Sequence, residues 1–166
     1  SEHCVPPELR NSLTGEQVTK WVRDISGNEN ALPIFYEVIA LAISLCDTCI
    51  DVCTSLLMPV IPQDPRLLSV IAGALRKRAV ADSTGTQTVL PLIKMIVRSG
   101  NETAINTIVL PVAFALRRES VSILELLLFA KQADIRKKFS DALYRIFASH
   151  VDDGLWLLDC FLGRIS

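Results

Sequence analysis

The sequence predicts an all-α fold, and three observations carry that prediction. Half of the chain is apolar, mostly leucine, isoleucine, valine and alanine, while aromatic residues make up 6% and only seven of 166 positions are glycine. Such a composition suits packed helices better than a β-sandwich. Helix start and stop signals recur along the chain. Apolar residues return at three- and four-residue spacing, and no run shows the strict alternation of a half-buried strand.

The length fits a single domain, residues 1–166, with a real core and about eight helices in stacked antiparallel pairs. Thr14-Gly15-Glu16-Gln17 reads as a capping box, with Gln17 placed to reach back to the cap backbone. The helix it opens runs to about Ser26, where Gly27-Asn28 ends it. Asn30 caps a long apolar segment with Pro33 near its first turn, and Met58-Pro59-Val60-Ile61-Pro62 breaks it after Leu57. Asp64-Pro65, cap then proline, restarts a helix that runs to about Val80.

Asp82-Ser83-Thr84-Gly85-Thr86 reads as a loop, and residues 87–99 as a helix with Gly100 in the C-cap place. Asn101 begins the next helix, which Pro111 kinks or splits. Ser120 starts a helix through Ala133, Asp134 caps one ending near His150, and Asp152 begins a last short one. Over residues 122–130 apolar side chains surround nearly the whole circumference, so this helix is expected to be buried on more than one side. Its successor is amphipathic: Ile135, Phe139, Ala142, Leu143 and Ile146 share one face, and Lys137, Lys138 and Arg145 lie off it.

The most apolar stretch, residues 31–46, carries Pro33 and Glu37 and is shorter than the roughly 20 residues a membrane span requires. No span is expected. The chain does not open on methionine, so it is expected to be a processed product or part of a longer protein, and no secretory leader is expected. Five cysteines, an odd number with three inside eight residues, do not read as the even, spread-out count of a secreted disulfide framework, and an intracellular, cytoplasmic or nuclear setting is expected.

Those three, Cys46, Cys49 and Cys53, stand at i, i+3 and i+7 on one helix face together with Phe35, Ile39, Ala42 and Leu56. Thiols on such a stripe pack as small apolar residues. A zinc or iron–sulfur site needs a fourth ligand and converging loops; His3 and His150 both lie far off in sequence, and only Cys4 or Cys160, brought near by the fold, would supply one. Core packing is therefore expected, with no metal or cofactor.

Catalytic patterns are missing: no G-x-S-x-G, no P-loop and no G-x-G-x-x-G is present. His150 reads as a helix-end residue, and Asp152 and Asp153 as N-terminal capping carboxylates. Asn101-Glu102-Thr103 matches the glycosylation pattern, which matters only in a secreted protein. The stretch from Asp82 to Thr86 resembles the aspartyl-phosphate motif of P-type ion pumps, but that motif has lysine where this chain has Ser83. No α/β alternation follows it either, so an interhelical loop is expected.

Charge is unevenly spread. Residues 1–65 hold 3 basic and 9 acidic side chains, residues 66–150 hold 13 and 6, and the net charge of the whole chain is −1. Three basic clusters stand out: Arg76-Lys77-Arg78, Arg117-Arg118 and Arg136-Lys137-Lys138. The first two lie toward helix C-termini, where the dipole favours cations, and solvated helix ends would need no further role. Arg78 falls on the apolar side of its helix and is expected to snorkel or pair with a neighbour. Aligned by a helix stack, Arg76, Lys77, Arg117, Arg118, Arg136, Lys137 and Lys138 would form a ridge for an acidic protein partner or a nucleic acid. No aromatic residues interleave them, which disfavours single-strand stacking.

Leu32-Pro33-Ile34, Met58-Pro59-Val60, Leu90-Pro91-Leu92 and Leu110-Pro111-Val112 all read apolar, proline, apolar. In helix length and proline placement the chain resembles the HEAT and armadillo families of α-solenoids. The resemblance implies a short α-solenoid; a compact helical bundle would give similar signals. The expected function is a non-catalytic protein–protein interaction or scaffold domain, with a nucleic-acid-associated domain as the alternative.

Overall fold

A computed structural model describes residues 65–165, and every regular element among them is helical. In chain order these are α1 (Pro65–Val80), α2 (Gly85–Ser99), α3 (Glu102–Ala104), a π-helical segment (Ile105–Val109) and α4 (Leu110–Leu116). A 3-10 turn (Arg117–Ser120), α5 (Val121–Leu128), α6 (Ala133–Ser149) and α7 (Val151–Ile165) follow. The helices expected over residues 14–26 and 30–57, the capping box at Thr14, the cap at Asp64 and Cys46, Cys49 and Cys53 lie outside the described residues. Among the described residues five α-helices reach eight residues or more; the expected eight counted all of residues 1–166, two of them outside the described residues.

Local signals set most boundaries. Gly100 closes α2 in the left-handed conformation, φ 71°, with its N–H donated to the Val97 carbonyl. Asn101, the next residue, is extended, and its side-chain oxygen accepts the Ala104 N–H at 3.0 Å. Pro111 neither ends the rod nor stands alone in it. Proline cannot donate to the carbonyl four residues earlier, and the chain widens into π geometry just before it, with the Leu110 N–H reaching the Ile105 carbonyl. Pro91 sits in the interior of α2, on its exposed side.

Four boundaries differ from the sequence expectation. Gly85 and Thr86, read as loop, are the first residues of α2. The helix expected from Ser120 to Ala133 is shorter, Val121–Leu128. Its end is held by Arg136, whose Nη1 donates to the carbonyls of Ala130 and Lys131 at 2.9 and 2.6 Å. A side chain from the next helix thus satisfies carbonyls that would otherwise favour further helix. The cap of α6 is Gln132, extended at φ −85° and ψ 133°, so Asp134 lies in the first turn and acts through the helix dipole instead. The last helix is not short, because Leu157 and Phe161 give it an inner face that packs on α6, with the rings of Phe139 and Phe161 edge to face at 4.9 Å.

The rod formed by α3, the π segment and α4 is the spine of the described residues. It packs against α1, α2 and α6. Its buried positions include Ile105, Ile108, Val109, Val112 and Ala113. The other pairings are α1 with α2, α2 with α5, α5 with α6 and α6 with α7. On α5 only Ile123, Leu124 and Leu127 are fully buried, Leu126 and Leu128 are partly so, and Phe129 is exposed. The apolar face of α6 is as its periodicity predicts: Ile135, Phe139, Ala142 and Ile146 are buried and Leu143 is partly so.

Candidate functional site

The three basic clusters meet three different fates. At the end of α1, Arg76 is exposed, Lys77 half-buried and Arg78 buried. Arg78 Nη1 pairs with Asp82 Oδ2 at 3.3 Å and Nη2 reaches Thr88 Oγ1 at 3.5 Å, while its Nε has no partner among the described residues. This arginine ties the α1–α2 turn together, as its apolar-side position predicts.

Arg117 and Arg118 converge on one carboxylate. Arg118 Nε donates to Asp153 Oδ1 at 2.6 Å, and Arg117 Nη1 lies 3.6 Å from Asp153 Oδ2. Arg118 also lies over the Trp156 ring, 5.5 Å from its centre. Arg117 itself carries a positive φ of 54°, a conformation rare outside glycine, at the point where α4 tightens into the 3-10 turn. The Arg118 hydrogen bond, aided by both guanidinium charges, holds the Asp153 carboxyl below its ordinary value. Asp153 thus does more than cap α7.

Arg136 is engaged with the carbonyls at the end of α5, while Lys137 is exposed and Lys138 partly so. These three sit at the start of α6, whereas Asp153 binds Arg117 and Arg118 just beyond its end, roughly 20 Å away at about 1.5 Å of rise per residue. Gly100 lies beside Gln132, so the far end of α2 meets the start of α6, and the near end of α2 meets Arg78 and Ala79. Arg117 and Arg118 therefore lie by the end of α6, and Arg136, Lys137 and Lys138 by its start, near the end of α2 that carries Arg98. These two clusters do not line up along one ridge.

Two surfaces went unnoticed in the sequence. One is a groove of about 1060 Å³ between α2 and α5, with Lys94, Arg98 and Lys131 on its walls. The other is the outer face of α7, where Val151, Leu155, Leu158 and Leu162 are exposed at spacings of four, three and four residues. The only sequence sign of the second was two apolar stripes on one helix, since Leu157 and Phe161 make a further stripe that faces inward.

The remaining candidate chemistry has local explanations. Asp82 Oδ1 accepts from both the N–H and the hydroxyl of Thr84, at 3.0 and 2.8 Å, and these bonds, with Arg78, lower its carboxyl below the ordinary value. It is a turn-forming aspartate between two helices. His150 gives its backbone N–H to Ile146 at the end of α6. Cys160 is a free, partly exposed thiol on α7. Among the described residues no group of three or more His, Cys, Asp or Glu is placed to hold a metal ion, and no helix is long and apolar enough to cross a membrane. No family model, curated protein or solved structure matches the chain.

Proposed function

We propose that the chain is a non-catalytic protein-interaction domain that presents rigid surfaces on stacked helical pairs. The observation that carries this reading is the outer face of α7. Val151, Leu155, Leu158 and Leu162 are 52%, 47%, 38% and 55% exposed, in a heptad-like row on a helix already anchored through the neighbouring stripe of Leu157 and Phe161. A row of this kind gains by being covered by another protein surface.

The stacked-pair reading draws on the direct packing of α1 on α2 and of α6 on α7. The basic residues give less support to a nucleic-acid surface, because Arg117 and Arg118 spend charge on Asp153 and Arg136 on backbone carbonyls. An odd number of cysteines, three of them within eight residues, fits an intracellular setting.

The test is capture of partners from native extract with the full chain and with a Leu155→Glu/Leu162→Glu variant. Both positions are exposed, so helicity should be unchanged while a specific partner is lost. A captured set identical for the two proteins would overturn the assignment of this face.

A further inference from the structure

We propose that the groove between α2 and α5 receives a short acidic amphipathic helix of a partner protein. The proposal rests on the reading of the domain as one that binds proteins, but concerns a different surface from the α7 face.

The floor of the groove is apolar. Leu90 and Val97 supply it from α2, Leu126 from α5 and Phe129 from the residue just beyond it, with Phe129 65% exposed. Each wall runs about two helical turns, from Leu90 to Val97 and from Ser122 to Phe129, or roughly 10 Å at 1.5 Å per residue. That length matches a helical ligand with apolar side chains at i, i+3 or i+4, and i+7, the usual anchors of helix-in-groove recognition. A volume of about 1060 Å³ leaves room for several such side chains.

The charge of the walls selects the sign of the ligand. Lys94, Arg98 and Lys131 line the groove against a single carboxylate, Glu125, in a chain whose overall charge is −1. Arg136 stands at one mouth, bonded to the carbonyls of Ala130 and Lys131, which themselves line the groove. An entering helix with carboxylates flanking its apolar row meets complementary potential along both walls, which favours its encounter and fixes its orientation. A nucleic acid would leave the leucine floor uncovered and would find one aromatic ring for stacking.

The test uses the full chain and a labelled synthetic peptide of about fourteen residues built from leucine, alanine and glutamate, with leucines at i, i+3 and i+7. A control peptide carries lysine in place of glutamate. The acidic peptide should bind with an affinity that falls as salt rises. Lys94→Glu/Arg98→Glu should weaken it at least about tenfold and confer binding of the lysine peptide; both positions are exposed, so the fold should survive. Phe129→Ser should weaken the acidic peptide without altering its salt dependence, and Lys131→Ala supplies a milder second variant.

Absence of binding, or an unchanged affinity after charge reversal, would overturn the proposal. So would full displacement of the peptide by an oligothymidylate, which would make the groove a nucleic-acid site, or a dimer in sedimentation that the reversal dissolves, which would make its occupant a second copy of this chain. The Leu155→Glu/Leu162→Glu variant should bind the peptide normally. Failure at the groove with α7 capture intact leaves the wider reading standing, and the converse result leaves the groove.

Discussion

Arg118 donates its Nε–H to Oδ1 of Asp153 across 2.6 Å, joining residues 35 positions apart at the junction of α4, α6 and α7. With Arg117 on the other oxygen and Trp156 beneath the guanidinium, the carboxylate holds the first turn of the last helix against the end of α4. Because its carboxyl lies below the ordinary 3.8 in the folded state, the stabilisation is fully present above that value. It is lost as the pH falls through the folded-state value. Asp153→Asn should therefore unfold more easily at neutral pH and show a shallower acid dependence than the parent. Parallel acid limbs for the two proteins would show that the pair contributes nothing.

The cap at Asn101 serves the whole rod from α3 to α4. Asn101→Ala removes the acceptor for the Ala104 N–H and should cost about 1 kcal/mol, whereas Asn101→Asp should be nearly neutral. Urea unfolding of both variants measures the difference; equal losses would mean that the side-chain bond is not what matters.

Adjacent leucines on α7 should behave oppositely. Leu157 is fully buried, and Leu157→Ala should cost about 2–4 kcal/mol through the cavity it leaves. Leu158 is 38% exposed, and Leu158→Ala should cost less than about 1 kcal/mol. Gly154 belongs with the first: a Cβ there would lie 2.5 Å from the Phe147 Cα, so Gly154→Ala should push α7 off α6 and expose its amides to hydrogen exchange. Exchange rates unchanged in the α7 amides would contradict that close approach.

Nucleic-acid binding, if it were the function, would show a steep salt dependence, with about 0.9 added to the slope of log affinity for each phosphate neutralised on a duplex. The expected outcome is weak binding at low salt with no such slope. Because Arg118 holds Asp153, charge reversal there would damage the fold, so Lys77→Glu/Lys137→Glu is the cleaner variant. A steep slope abolished by that pair would reverse the preference for a protein partner.

What the sequence determined by itself is the helical character and much of its punctuation. Gly100 and Asn101 are legible because caps act within four residues, and the buried face of α6 is legible because helix periodicity places Ile135, Phe139, Ala142 and Ile146 on one side. The burial of Arg78 was foreshadowed by its place on that kind of face. The break after Leu128 was not, because Arg136 closes it from the following helix.

Only the tertiary structure decided which of two apolar stripes on α7 turns inward, since both satisfy the helical period and the neighbour chooses between them. It also decided that Asp153 meets Arg118, that Arg117 and Arg136 stand at opposite ends of α6, and that Lys94, Arg98 and Lys131 face one groove. These relations join residues far apart in sequence. They are set by how helices pack, and no local spacing encodes that.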